Sequence, residues 1–590
     1  MTPDSPAMTA AFSTASAPLA PARAPTTPRS KHVTSSPPPE AGAGAAVADR
    51  RSNRPGPVDP LSDRATLSLI RRTLCPQQLG DKGRDAQLPI EELLPPLTSR
   101  NDVDLQLYAF LAIIMREFVQ SWYSKITTDE TFVPEILHII AHCTTALEQR
   151  FRKLDLESLF LDEIPELLDR HATARRVASR AALQPLVEAD PRDVYHSISP
   201  LPFLSPVPWA DDASSVKLQK ENEATYRQLL VQAVLAILLP TEDLENPCLT
   251  ALVEQILSEL IIGNVIAGKA SQPWLLFEAI CIAARSLDEQ KARAKTRIVS
   301  GKDEPSPSFS ALGQDEEKSP KWTAQGVFVL VIHLSILLFN AVRFMVVTLA
   351  DSISLPPRTA LHLDEEAADH TLDDKQPSPP TDTNVAQAKV PVLAYKLWTC
   401  FGNLIELEER KPWLGGFISL LQTAAVNGPW QIAGLDGPLD RLLSHHFQSL
   451  FDPSHLPALL RSLRGALFPN NSPGSSTLAA PQSEEELLAL RRRAASAIRG
   501  LLPTSVTRVY FGGRLWRLGG LLGDNFGRSS AAVDGEDERV LDELESLLDV
   551  VGDEYCNKHL MYSVLELILV RLMPELSEKG VMELWEERLG

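Results

Sequence analysis

Apolar side chains along most of this chain recur every three or four residues, and no stretch alternates convincingly with period two. Such a pattern builds amphipathic helices and leaves nothing from which to make a sheet, so the fold class expected is all-α. Leu105, Tyr108, Ala112, Met115, Val119 and Trp122 make one helical stripe. Phe132, Ile136, Ile139, Ile140, Cys143 and Leu147 make a second, and Leu156, Leu159, Phe160, Ile164, Leu167 and Leu168 lead a third to His171. Further helices are expected over 221–239, 248–266 and 273–287, then from 390 to 467, and over 504–522, 540–551 and 558–572. Helix starts of the S/T-x-x-E kind lie at 127–130 and 483–486. The proline-punctuated stretch 191–208 reads as an extended connection.

The prolines, 46 in 590 residues, cluster where the periodicity stops. Residues 1–60 are mostly Ala, Pro, Ser and Thr and cannot bury enough surface to offset their ordering entropy, so they are expected to be a disordered tail. That tail has no continuous apolar core for a secretory signal. It carries scattered arginines that would suit a transit peptide, but its prolines break any amphipathic helix, which favours a solvated tail. Residues 288–320 read as a linker, first basic at Lys291, Arg293, Lys295 and Arg297, then rich in Ser and Pro, and 356–388 reads as an acidic linker. With 57 basic against 76 acidic residues the net charge is -19, which excludes the basic stripe of a nucleic-acid binder. The six cysteines are far apart with no C-x-x-C, so a cysteine zinc cage is excluded and a reducing compartment is implied.

Residues 321–355 hold the most apolar run of the chain. About 20 residues suffice to span a hydrocarbon core, so length permits a crossing. Against it, His333, Asn340 and Arg343 fall at i, i+7 and i+10, one polar stripe on an apolar helix, and a buried Arg343 would cost about 2.5–3.5 kcal/mol at mid-bilayer. Three readings therefore stand in order: a groove-lining or interfacial helix, a true span, and an ordinary buried helix. The residues expected to meet lipid are Phe328, Leu330, His333, Leu337, Phe339, Arg343 and Phe344, with Trp398 and Trp413 as headgroup-level anchors. The 291–297 cluster could meet a lipid phosphate, although a solvated linker face is the plainer account.

Catalytic chemistry finds little footing. His138 and His142 have helical i, i+4 spacing, but position 139 is Ile, so the H-E-x-x-H glutamate is missing. His445 and His446 point to different faces. The glycines at 519–523 follow no strand and precede no Lys-Ser/Thr, and there is no G-x-S-x-G. Cys556 and His559 are close in sequence without a third partner. No cofactor, metal or catalytic residue is expected.

Three groups of strings resemble a known pair of domains. The first is Phe118 to Thr127 around Trp122 and Tyr123, then Glu148 to Phe151 with Arg150, then Leu167 to His171. The second is the Pro240 and Pro273-Trp274 region with Ile256 to Glu259. Together these resemble the PXA domain of the large sorting nexins. The third is Ala466 to Asn471 with Phe468 and Pro469, then Tyr555 to Leu560 with Asn557, Lys558 and His559, then Pro574, Glu575 and Leu576. It resembles the nexin C-terminal domain. The PXA-like part spans 98–287 and the nexin-C-like part 389–590, and the spacing between them leaves no room for the PX and RGS domains of the full-length type. The chain thus looks like a shortened, fungal-type member. The resemblance implies that the two helical domains pack together around an apolar, lipid-accommodating groove. It implies a non-enzymatic, lipid-binding role in inter-organelle tethering, lipid transfer or endosomal trafficking, on the cytoplasmic side of the endoplasmic reticulum or endosome. The partner expected is a phospholipid or membrane surface, with protein partners reached through the disordered segments. The alternative is a trafficking scaffold anchored by the 326–350 helix.

Overall fold

The computed structural model describes residues 61–75, 89–127, 132–182, 190–201, 212–300, scattered positions within 332–358, 389–468, 471, 480–511 and 530–590. The expected tail, most of both expected linkers and the start site at 127–130 lie outside them, apart from Thr127. Among the described residues there is no strand.

In the first half α1 (Asp63–Leu74) buries Thr66, Leu69, Ile70, Thr73 and Leu74, one face at helical spacing, against α2 (Asn101–Ile114). The Asp104 carboxylate closes the turn ahead of α2 by accepting the Leu97 and Thr98 backbone N–H groups at 3.0 and 2.8 Å. With α3 (Phe132–Arg152) these helices enclose a core of Ile70, Leu97, Tyr108, Ile113 and Leu137. Then follow α4 (Ile164–Ala182), α5 (Pro191–Ile198), α6 (Ala213–Leu238), α7 (Pro247–Gln255) and α8 (Pro273–Ser300). Wide π-type turns prolong α2 over Met115–Gln120, precede α4 over Leu159–Glu163 and carry α7 on to Ala270.

The second half supplies α9 (Lys396–Leu404), α10 (Pro412–Asn427), α11 (Pro438–Leu450), α12 (Leu456–Leu467), α13 (Glu484–Leu501), α14 (Thr504–Phe511), α15 (Ser530–Leu547), α16 (Glu554–Leu572) and α17 (Val581–Leu589). The capping signal at 483–486 is realised at α13. Ser483 Oγ accepts the Glu486 N–H at 3.2 Å, and the Glu486 carboxylate reaches back to the Gln482 N–H at 2.8 Å.

The halves share their cores. Phe468, after α12, joins the core of α1–α3. Tyr562 of α16 and Trp585 of α17 pack among Val231, Leu235, Leu239 and Ile262. Phe277 and Cys281 of α8 pack against Ala494 and Ala495 of α13. Residues 58–590 accordingly form one compact unit.

Two local readings are corrected. The connection at 191–208 contains α5, because Pro191 sits in the first turn, where its missing N–H costs nothing, and Asp190 caps the Arg192 N–H at 2.8 Å. Helix α8 runs to Ser300, into the stretch read as linker. Its Lys291 donates to the Leu501 carbonyl at 3.3 Å, at the C-terminus of α13, where a cation is favoured, instead of belonging to a solvated basic loop. The third stripe, by contrast, is helical throughout as expected: Asp155 caps the first turn, Leu156–Ser158, and the π-type turns over Leu159–Glu163 carry it into α4.

Every described position from 332 to 350 is helical, and all but Thr348 are exposed. They include Ile332, Ile336, Phe339, Val342 and Val346 beside Asn340 and Arg343, so this face mixes apolar side chains with the expected polar stripe.

Candidate functional site

Beyond the described positions of 332–350, the chain is clasped at Arg358, a residue only 2% exposed. Its guanidinium donates to Glu157 of the first half and, at 3.0 and 2.9 Å, to Asp440 at the start of α11. It also donates to the Val390 carbonyl at 3.1 Å and to the Tyr395 hydroxyl at 3.3 Å, and its backbone N–H reaches Asp436 at 2.7 Å. Glu157 accepts in addition from Ser444 and, at 3.2 Å, from Gln448, while Asp440 accepts the Val392 N–H at 2.7 Å. Burial opposes the arginine's charge, but the two carboxylates more than offset it and hold its pKa above the ordinary value. The cluster is a structural clasp with its lone pairs used.

Several residues of the quoted strings meet at the seam between the two halves. Arg150 forms a bidentate pair with Glu575 at 2.9 and 2.8 Å and donates to the Leu572 carbonyl at 3.3 Å, uniting two motifs 425 residues apart. Its hydrogen bond holds the Glu575 carboxyl below the usual range. His171 makes a 3.0 Å contact with the Val550 carbonyl through Nε2 and a 2.8 Å contact with the Tyr195 hydroxyl through Nδ1. A carbonyl only accepts, so Nε2 carries the proton and Tyr195 donates to Nδ1. Burial pushes the His171 pKa down to about 4. Asn557 is fully buried and donates to the Ser271 and Val551 carbonyls at 3.0 and 2.9 Å. Lys558 reaches the buried Glu223 at 3.5 Å. His559 is met edge-on by the rings of Tyr195 and His196 and at a tilt by that of Tyr555, and burial pushes its pKa down to about 3.

Pro240 precedes the short helix Thr241–Leu244, Pro273 opens α8, Pro574 opens Glu575–Glu578, and Leu576 packs on Ala233, Ala236 and Leu584. Tyr123 stacks on Phe132 at 4.3 Å and Phe468 meets Phe110 edge-on at 6.1 Å. The side chain of Trp122, and Pro469, lie outside the described residues.

Of the expected lipid contacts, Phe339 and Arg343 are exposed, Phe339 at 68%. Phe328, Leu330, His333, Leu337 and Phe344 lie outside the described residues. Trp398 is partly exposed, with its indole N–H tied to the Val392 carbonyl at 3.0 Å, and Trp413 is 55% exposed. What the sequence reading missed is the exposure of the helix to which Trp413 belongs. No charged residue occurs between Lys411 and Asp436, and α10 within that interval buries none of its residues. Its outward side chains include Phe417, Ile418, Leu420 and Leu421, and Trp430 beyond its end is 83% exposed. The missing signal was the length of the uncharged run, not any motif.

Helix α7 with its π-type extension is the one helix among the described residues long and apolar enough to cross a membrane. In this fold it is held sideways against α6. Arg227 grips Glu259 at 3.0 and 3.1 Å and the Ser258 carbonyl at 3.1 Å, an approach that Gly263 permits, since a β-carbon there would lie 3.2 Å from Arg227 Nε. Its outer face shows Leu252, Ile256, Leu260, Ile261 and Val265.

Acid–base or thiol chemistry has no obvious seat among the described residues. His138 and His142 are exposed and separate from the seam, no group of side chains could hold a metal ion, and burial raises Cys143 and Cys400 to about 11.

The PXA domain family model matches residues 100–283. PXA domain protein 1 of Schizosaccharomyces pombe is 26% identical over 191 residues, 32% of this chain and 35% of that protein. Human sorting nexin-13 is 25% identical over 197 residues, 31% of this chain and 20% of its own length. An uncharacterized protein of Saccharomyces cerevisiae is 38% identical over 79 residues, 13% of this chain and 17% of that protein. The matches thus span about a third or less of each of these relatives. No solved structure matches. Residues 100–283, the segment that contains α2 to α7 and the start of α8, form a PXA domain.

Proposed function

We propose that this chain is a non-enzymatic, lipid-binding protein of the sorting-nexin type that sits on the cytoplasmic side of the endoplasmic reticulum or an endosome. In this reading residues 389–590 are its nexin C-terminal domain, and the protein tethers membranes or passes lipid between them. The observation that carries it is α10, a helix free of charge from Lys411 to Asp436 and without a buried residue. An uncharged, unburied apolar helix needs a covering, and a bilayer supplies one without a second protein surface. Trp413 and Trp430 stand near its ends, where indoles favour the headgroup level. The exposed face at 332–350, with Arg343 available to a lipid phosphate, would enlarge the same contact.

The test is flotation of the full chain with liposomes, comparing wild type with the triple variant Trp413→Ala, Phe417→Ala, Leu420→Ala. These side chains are 55, 53 and 68% exposed, and full burial of one contributes about 1.5–3 kcal/mol, so losing all three should cost about 3 kcal/mol, roughly a hundredfold in partition. Thermal stability should fall much less than liposome binding, because these three side chains are each more than half exposed. A wild type that ignores liposomes, or a triple variant that floats equally well, overturns the proposal.

One observation favours a second reading, a protein scaffold. The outer face of α7 is apolar but flanked by Glu254 and Lys269, which suits a partner helix better than a bilayer interior. Partner capture that survives the α10 triple variant and is lost with Leu260→Asp would support it.

A further inference from the structure

A cavity of about 340 Å³ lies between α4 and α16, closed at one end by the chain at 199–201 after α5. Its lining comes from α4, α5 and the chain after α5 on one side and from α16 on the other, so neither half alone contains it. Its volume is near the small end of the roughly 300–1,000 Å³ typical of small-molecule sites. A lipid head group fits that volume and a whole diacyl lipid does not.

The polar groups at the floor are already engaged. His171 Nε2–H is taken by the Val550 carbonyl, and the Tyr195 hydroxyl is spent on His171 Nδ1. Ser563 turns its hydroxyl back to the His559 carbonyl at 2.9 Å. Two charged groups on the wall are not so engaged. Glu566 has no ion pair or hydrogen bond among the described residues, although its carboxyl is partly buried. Burial alone pushes its pKa above the usual carboxyl range, with no cation nearby to oppose the shift. Arg170 has a single weak carboxylate contact, Glu166 at 3.7 Å on its own helix, and keeps donors in reserve. Between them the wall is apolar: Leu167, Leu201, Leu560, Leu567 and Val570.

A partly buried carboxylate without a partner is costly, and a ligand cation is the natural complement. Apolar walls around such a carboxylate suit an alkylated ammonium, which sheds water more easily than an inorganic ion. A phosphate joined to that ammonium by a short link would lie toward Arg170, whose planar fork matches phosphate oxygens. We propose that this cavity takes the ammonium–phosphate head group of a zwitterionic phospholipid, with Glu566 on the ammonium and Arg170 on the phosphate. The site deepens the lipid-binding reading above and rests on it.

The experiment uses the full chain and monomeric short-chain ligands, so that it does not depend on docking to a bilayer. Binding of dihexanoyl-phosphatidylcholine, glycerophosphocholine and dihexanoyl-phosphatidic acid is measured by calorimetry. The expected result is binding of the choline lipid that Glu566→Gln weakens at least tenfold, while the weaker binding of phosphatidic acid, which lacks the ammonium, is unchanged by that substitution. Arg170→Gln should weaken both. Glu566→Gln removes an unpaired charge, so the melting temperature without ligand should not fall. Ser563→Leu, which fills the cavity without touching either charge, should give the same loss and guards against a misfolded variant. Full affinity retained in Glu566→Gln, or no binding of the choline lipid by wild type, overturns the head-group site. Glycerophosphocholine binding as tightly as the lipid overturns the lipid assignment in favour of a soluble phosphocholine compound. A protein that floats with liposomes yet ignores these ligands refutes this site and leaves the membrane-docking proposal standing.

Discussion

Replacing Arg358 with methionine should unfold the protein more than any loss of a surface ion pair could. The side chain is 2% exposed, and its two carboxylate partners, Glu157 and Asp440, have side chains 6 and 0% exposed. Removing one member of a buried ion cluster leaves the others uncompensated, which costs about 3–5 kcal/mol. Total stabilities of about 5–15 kcal/mol make that a fifth or more of what holds the body together. Because Glu157 belongs to the first half and Asp440 to the second, the loss should be felt by both, and tryptophan fluorescence and circular dichroism should report one coincident, earlier transition in urea. The triple variant Arg358→Met, Glu157→Gln, Asp440→Asn removes the stranded charges while keeping a carbonyl oxygen for the Val392 N–H, and should recover most of the loss. A single-variant loss under about 1 kcal/mol, or a triple variant no better than the single one, would refute the clasp as the junction of the two halves.

Other outcomes follow from the same geometry. Arg150→Ala should cost only about 1 kcal/mol in urea titration, because the Arg150–Glu575 pair is partly exposed and solvent-screened; a loss above about 3 kcal/mol would mean a stronger junction than the structure supports. Leu584→Ala, at a side chain buried against Ala233 and Ala236, should cost about 2–5 kcal/mol by the same measurement. His171 and His559 titrate near 4 and 3 when folded but near 6.5 when unfolded, so the unfolded state binds more protons between those values. Stability from these groups is present above pH 6.5 and is lost as pH falls toward 4, by about 3 kcal/mol for His171; His171→Gln should flatten the profile of unfolding midpoint against pH over that window. Gly263→Ala should push Arg227 away from Glu259, raising the hydrogen-exchange rate of the α7 amides near Ser258.

The all-helical class was legible because burial at 3.6-residue spacing leaves a direct trace, as in α1 and α13. Arg150 and Glu575 each stand in a family string, but only the structure shows that they pair. Arg358 was not legible. It follows Pro356-Pro357 in a stretch that reads as linker, and its partners lie 201 and 82 residues away, so no local pattern marks it. The π-type turns of α7 leave no periodic signature either, because the extra residue per turn shifts the apolar face gradually. Pro191 was misjudged because a proline that opens a helix and one that breaks it look the same without the Asp190 cap. Helix α10 was half seen. Trp413 stood out as an aromatic, whereas exposure is a property of what packs nearby and cannot be read from one helix. Glu566 was missed for the same reason, since a carboxylate lacks a partner only in three dimensions.

The interleaved cores also set a timetable for synthesis. Val231, Leu235 and Ile262 leave the ribosome long before Tyr562 and Trp585, the residues that cover them. At roughly 5–20 residues per second, translation of the intervening chain takes tens of seconds. Throughout that interval the PXA segment is an open half-core, a substrate for holding chaperones and for unwanted self-association. Helix α17, Val581–Leu589, lays Leu584 on Ala233 and Ala236 and so covers part of that open half-core, and a chain lacking it should leave those side chains exposed.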